Sequence, residues 1–282
     1  MDGQQIRNRL HDGRRVYGTH VCSLTNPVTA RLQAQLPYDF AFICNEHMPI
    51  DRTETSMMCQ LFQSNGISPC VRISHPCAIE AAKALDGGAQ GIVAPYVETL
   101  EQVRELVGAV KYRPVKGARL EQYLSGERDV PSNVSEFFDR FNKHNYLIIG
   151  IESWSAYENL EALITTPGVD GVFVGPHDLS VSMELPEQYD HPDFLAAIHD
   201  IIRQCRAAHV GIGVHFGQTI KTDEDFIDLI SKGMNWVLYG ADIALITAGM
   251  TKSLTRFREH FGDIWEAGSA DGEVESCVTA GE

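Results

Sequence analysis

The sequence predicts a closed parallel (β/α)8 barrel, on three observations. Eight short β-rich runs recur along the chain, amphipathic segments separate them, and polar residues gather at the C-terminal ends of the runs. The runs are VYGTHVCS (16–23), FAFICNEH (40–47), SPCVRIS (68–74), GIVAPYV (91–97), YLIIGIES (146–153), GVFVGPHD (171–178), VGIGVHFG (210–217) and NWVLYGAD (235–242). Most are apolar until their last residues, as expected of strands covered on both faces. A doubly wound open sheet gives a similar alternation, but eight strands favour closure.

The segments between the runs carry helical periodicity. Leu100, Val103, Leu106, Val107 and Val110 share one face, as do Phe194, Leu195, Ile198, Ile201, Ile202 and Cys205. Thr99 with Gln102 and Thr222 with Asp225 have the spacing of a capping box at a helix start. One interval is long: KYRPVKGARLEQYLSGERDVPSN (111–133) precedes a short helix over 135–143, and an excursion of this kind is expected to be a lid or a subunit contact. A last helix over 243–261 carries Ile243, Leu245, Ile246, Met250, Leu254 and Phe257, more apolar surface than one barrel needs to cover. Residues 263–282 hold six acids and no Lys or Arg, and read as a disordered acidic tail after a single domain over 1–262.

Composition narrows the function. The chain has 282 residues, 44% of them apolar, and a formal charge of −15, about six units of which belong to the tail. An acidic body argues against nucleic acid and anionic membrane surfaces as partners. The N-terminal segment has no apolar leader and no stretch approaches a membrane span, so a cytoplasmic protein is expected. Seven cysteines, at 22, 44, 59, 70, 77, 205 and 277, form no CxxC pair and signal neither a disulfide scaffold nor a zinc site. The glycines around GIGVHFGQT and YGAD suggest a phosphate cradle only weakly, because P-loop and dinucleotide spacings are absent.

Taking one polar residue per run end, His20, His47, Arg72, Tyr96, Glu152, His177 with Asp178, His215 and Asp242 recur at about one β/α unit apart, except for two insertions, between Tyr96 and Glu152 and between Asp178 and His215. In a barrel these ends converge on one mouth, where the fold carries its chemistry. Glu152 and Asp178 lie 26 residues apart on consecutive strands and are placed to share a divalent metal of the Mg²⁺ or Mn²⁺ kind; alternatively they cap a helix and close a turn. Arg72 suits a carboxylate or enolate oxygen, or a salt bridge to a rim acid. His47 is the general-base candidate. The seven lysines, at 83, 111, 116, 143, 221, 232 and 252, all fall in helices or loops, which disfavours a Schiff-base mechanism.

Together FICNEHMP, VRI, LDGGAQGIVAPYVET, KYRP with the following KG and Arg119, GIES and PGVDGVFVGPHDLS resemble, over residues 16 to 245, the HpcH/HpaI aldolase (citrate lyase-like) family of metal-dependent class II pyruvate aldolases. The resemblance implies a barrel of the phosphoenolpyruvate/pyruvate-binding type, assembled as a homohexamer with a swapped C-terminal helix. It implies metal binding (Mg²⁺ or Mn²⁺, with Co²⁺ also accommodated) by Glu152 and Asp178, and contact of Arg72 with the keto oxygen of a 2-oxo acid. His47 would move the proton together with a water, Gly175 and His177 would line the substrate, and Asp86 would reach into the neighbour's site.

The chain departs from that family at several positions. Cys44 stands where an Asp often pairs with the catalytic His, His20 where a Trp is common on the first strand, and His177 where a small residue precedes the metal Asp. Arg119 is retained without the glycine that usually follows it. The expected function is cleavage or formation of the C–C bond of a 4-hydroxy-2-oxo acid, giving pyruvate and an aldehyde. The alternatives are enolate condensation with an acyl thioester, oxaloacetate decarboxylation, or an oxo-acid-binding barrel that has lost turnover.

Overall fold

The computed structural model describes residues 1–33, 35–215 and 222–263. All eight strands form where the runs place them: β1 (Val16–Val21), β2 (Phe40–Cys44), β3 (Ser68–Arg72), β4 (Gly91–Ala94), β5 (Tyr146–Ile151), β6 (Gly171–Val174), β7 (Gly211–Val214) and β8 (Trp236–Ala241). They pair in parallel in the order β7-β6-β5-β4-β3-β2-β1-β8. The remaining seam, between β7 and β8, is drawn together by Asn235. Its N–H donates to the Ile212 carbonyl (3.0 Å) and its Oδ1 accepts from the Ile212 N–H (3.0 Å), while Nδ2 donates to the Leu10 carbonyl.

Alternation along each strand divides the core in two. Outward residues such as Val21, Ile43, Val71, Ile92, Ile149 and Val172 pack beneath the helices, and Phe40, Phe42, Cys70, Val93, Tyr146, Phe173 and Trp236 fill the barrel. Phe40 stacks on Trp236 with ring centroids 4.8 Å apart. A Cβ on Gly213 would lie 2.4 Å from the Trp236 ring, so only glycine lets that indole cross the barrel.

One element has little sequence signal. Gly3–His11 is a helix, opened by an Asp2–Gln5 capping box, whose fully buried Ile6 and Leu10 plug the N-terminal end of the barrel. Nine residues with two core positions one turn apart are too few for a periodic pattern to emerge.

The long interval contains two helices, Gly117–Leu124 and Ser132–Phe141, the first of them unforeseen. It leaves from Lys111, whose Nζ pairs at 2.5 Å with Asp170 just before β6, and returns to the start of β5. Both ends lie at the N-terminal face, opposite the mouth, so the interval is not a lid. The last helix spans Asp242–Phe261, with Leu245, Ile246, Met250, Leu254, Phe257 and Phe261 exposed. The proposed acidic tail beyond Asp263 and the 216–221 part of the glycine-bearing loop lie outside the described residues. Among those described, no helix is long and apolar enough to cross a membrane, and the six described cysteines are free thiols.

Candidate active site

At the C-terminal ends of the strands, Arg72 is the centre of the charge arrangement. It ends β3, is 4% exposed, and its Nε and Nη2 donate to Cys44 Sγ at 3.2 and 3.0 Å. The guanidinium carbon sits 5.6 and 5.7 Å from the ring centres of Phe42 and Phe173, which stack below it. Glu46 Oε2 lies 3.0 Å from Arg72 Nε and 3.5 Å from His47 Nε2, close enough to pair charge but not aligned for a hydrogen bond. Cys44 thus anchors Arg72 in a chain that lacks an acid there, and Glu46 supplies the carboxylate nearest to His47.

Glu152 and Asp178 are joined through a residue not singled out as a site residue from the sequence. The Tyr96 N–H donates to Glu152 Oε2 (2.8 Å) and its hydroxyl donates to Asp178 Oδ1 (2.9 Å). Tyr96 adopts φ +50°, a left-handed conformation uncommon for a residue with a side chain. Strain of this kind costs about 1–3 kcal/mol and persists where the surroundings over-determine it. Here it aims the two donors at two carboxylates. Gly175 serves the same acid from behind, because a Cβ there would stand 2.9 Å from Glu152 Oε1. The sequence signal for Tyr96 was its place at the end of the fourth run; for Glu46 it was adjacency to His47.

The donor set suits a hard divalent cation. Glu152 is 2% exposed, and burial pushes its carboxyl up to about 7 despite the opposing pull of Arg72 and the Tyr96 N–H, with Glu46 and Asp178 raising it further. A cation between these acids would relieve that desolvation and repulsion. Among the described residues no three His, Cys, Asp or Glu side chains converge to enclose an ion. Two carboxylates with open positions match an ion that keeps waters or takes substrate oxygens, as Mg²⁺ and Mn²⁺ do.

The other expected site residues fall differently. His177, half-buried, has Nδ1 3.4 Å from the Tyr189 hydroxyl and 3.8 Å from Glu187. Asp86 ends the helix Ala78–Asp86, is ion-paired with Arg113 with its side chain 60% exposed, and lies away from the mouth of its own barrel. Asp242 is structural: its carboxylate accepts from the Cys22 thiol (3.0 Å) and from the backbone N–H groups of Cys22, Ser23 and Leu24, tying the end of β1 to β8. Of the described lysines none ends a strand, and buried Lys111 is committed to Asp170 at the opposite face.

Three histidines at the mouth are held neutral. Burial, then Arg72, lowers His47 to about 4 and His20 to about 3; burial, then His20 and Arg72, takes His215 well below the usual range. A histidine depressed in the folded state contributes stability above its unfolded value near 6.5 and loses it as pH falls from there towards the folded value. Glu152 and Glu46, raised chiefly by burial, act in the opposite sense. A comparison with His20→Phe isolates one group. Between pH 7 and pH 5 the wild type is expected to lose about 2 kcal/mol relative to the variant. Urea melts at the two pH values measure this, and equal pH dependence would show that His20 is not held neutral.

A family model for HpcH/HpaI aldolase/citrate lyase matches residues 22–247. The chain belongs to the HpcH/HpaI aldolase/citrate lyase family. It is 30% identical over 236 residues to a 2-keto-3-deoxy-L-rhamnonate aldolase from Klebsiella pneumoniae, covering 84% of this chain and 86% of that protein. It is 30% identical over 256 residues to a pyruvate aldolase from Rhizobium etli, covering 89% and 96%. Among solved structures, the HpcH/HpaI aldolase from Desulfitobacterium hafniense superposes with a TM-score of 0.76 at 24% identity, covering 90% of this chain and 96% of that one. That likeness, at 24% identity, shows the fold.

Proposed function

We propose that this chain is a carbon–carbon lyase, a metal-dependent class II pyruvate aldolase that cleaves or forms a 4-hydroxy-2-oxo acid through an enolate, giving pyruvate and an aldehyde. The observation that carries it is the buried Arg72, fixed by Cys44 and Glu46, facing a mouth that also holds Glu152 and Asp178 joined through Tyr96. Glu152 and Asp178 would hold the ion, Mg²⁺ or Mn²⁺ by their all-oxygen character, with Co²⁺ also accommodated. When bound, it supplies Lewis-acid polarisation of the 2-oxo group.

The side chains divide the remaining work. Arg72 binds the 2-oxo oxygen and holds the negative charge that develops there as the C3–C4 bond breaks. A guanidinium stacked on Phe42 and Phe173 is already oriented and desolvated, so little reorganisation accompanies the step. His47, neutral at pH 7, accepts the 4-hydroxyl proton directly or through a water, and Glu46 beside it offsets the imidazolium that forms. In the reverse direction the same proton returns to the aldehyde oxygen.

Release of pyruvate from a panel of 4-hydroxy-2-oxo acids, with EDTA and with added Mg²⁺ or Mn²⁺, tests this. Turnover is expected to vanish with EDTA, return with metal, and leave no borohydride-trapped adduct. A trapped pyruvate adduct would replace the proposal with a lysine mechanism. Release of CO₂ from oxaloacetate without any aldol cleavage would instead favour the decarboxylase alternative.

Assembly belongs to the same proposal. The exposed Leu245, Met250, Leu254 and Phe257 on the helix Asp242–Phe261 fit burial against a second copy in a homohexamer with exchanged helices, which would also bring Asp86 to a neighbour's mouth. Leu254→Glu with Phe257→Glu is expected to lower the mass measured by light scattering and to lower activity with it. A wild-type monomer with full activity would remove both the interface and the role of Asp86.

A further inference from the structure

The base of the mouth is built in layers contributed by alternate strands. Phe42 and Phe173, from β2 and β6, are stacked 5.9 Å apart. The layer above them comes from the odd strands: His20 on β1, Arg72 on β3, Gly150 on β5 and His215 just past β7. Arg72 and His215 rest on both rings and His20 on Phe42. The His20 ring is 5.2 Å from Phe42, His215 is 5.9 Å from Phe42 and 5.6 Å from Phe173, and the two imidazoles meet edge to face at 5.2 Å. His20 is 7% exposed, yet its buried Nε2 has no hydrogen-bond partner. A buried nitrogen left unpaired is costly, and beside a reactive arginine it marks the place of a ligand atom.

We propose that His20, braced by His215, is a specificity-determining residue that hydrogen-bonds a hydroxyl on C3 of the 2-oxo acid, so that the preferred donor is a 3-hydroxy-2-oxo acid rather than unsubstituted pyruvate. This rests on the aldolase proposal above, which places the 2-oxo oxygen at Arg72. His20 occupies the same layer as Arg72, whereas Glu152 lies further along β5 towards the rim. With the oxo and carboxylate oxygens taken from the β3, β5 and β6 side, the atom at the depth of Arg72 on the β1 and β7 side is C3. Carbon 4 and the aldehyde portion extend outward.

The chemistry selects a hydroxyl. Both imidazoles are neutral, pushed down by burial and by Arg72, so they offer no charge to a second carboxylate. A hydroxyl donates and accepts, and so satisfies Nε2 in either tautomer. A methyl group in its place would leave the nitrogen unpaired. In the cleavage of such a substrate the C3–C4 bond breaks and its electron pair stays on C3 as the enolate of 3-hydroxypyruvate. The 4-hydroxyl proton goes to the base, and C3 is then protonated to release the product.

Exchange of C3 protons in D2O, followed by NMR on the Mg²⁺-supplemented full chain, tests the subsite without an aldehyde. The probes are 3-hydroxypyruvate and 2-oxobutyrate, which differ by hydroxyl against methyl, with pyruvate as reference and the uncatalysed rates subtracted. Wild type is expected to favour 3-hydroxypyruvate in kcat/KM by at least about tenfold. The ratio should fall by about as much in His20→Phe and be largely restored in His20→Gln, which keeps a hydrogen-bonding end. A wild-type ratio near one, or a ratio unchanged in His20→Phe, overturns the subsite while exchange of pyruvate upholds the aldolase proposal. Absence of exchange with all three 2-oxo acids overturns both. The wild-type ratio does not depend on whether either variant folds.

Discussion

Arg72→Lys is expected to lower kcat by about 10²–10³-fold, roughly 3–4 kcal/mol, although the charge is kept. The guanidinium makes three kinds of contact at once: two N–H donors to Cys44 Sγ, an ion pair with Glu46, and stacking on Phe42 and Phe173. A lysine ammonium is a compact charge on a flexible stem, and it reproduces neither the planar fork nor the stacking. The loss should appear chiefly in kcat, because the contact strengthens as charge develops on the 2-oxo oxygen. Circular dichroism and the thermal midpoint should show a folded barrel, and turnover near that of wild type would place Arg72 outside the chemistry.

Glu152→Gln is expected to weaken Mn²⁺ binding at least about 10²-fold, above what losing a partner of a ligand costs, and to remove turnover at ordinary metal concentrations. The amide keeps the volume beside Gly175, and its oxygen can still accept from the Tyr96 N–H. The fold should therefore survive; without metal the variant is expected to be at least as stable as wild type, since it no longer buries an acid that desolvation opposes. Titration calorimetry with Mn²⁺ measures the affinity. Unchanged affinity would return Glu152 to a structural role, with Asp178 then left to be tested alone.

Much of the site's list of residue types was legible in the sequence, because it follows from chain order. A parallel barrel puts the end of every strand at one mouth, so the recurrence of His20, His47, Arg72, Glu152, Asp178 and His215 at successive run ends already placed these candidates at one end of the barrel. Their individual jobs were not legible. Asp242 stood in the same series as Glu152 and proved to be a backbone acceptor for 22–24, since whether a rim acid turns inward depends on the local turn and not on its position in the series. Cys44 read as a lost acid, whereas in the fold it holds Arg72. The helix Gly3–His11 and the N-terminal placement of the 111–133 interval also escaped the sequence, one for want of length and the other because composition does not tell which end of a barrel a loop closes.

By itself the sequence determined the eight-stranded parallel alternation, the absence of a lysine from the ends of the described strands, and the motifs of the family. Those depend on periodicity and local order, which a linear chain records directly. The tertiary structure alone decided that Tyr96 serves both carboxylates from a left-handed turn, that Glu46 rather than residue 44 stands beside His47, and that His20 and His215 share a layer with Arg72. Apart from the neighbouring Glu46 and His47, these relations join residues 52 to 195 positions apart, and they exist only because closing the barrel brings distant strand ends to one mouth.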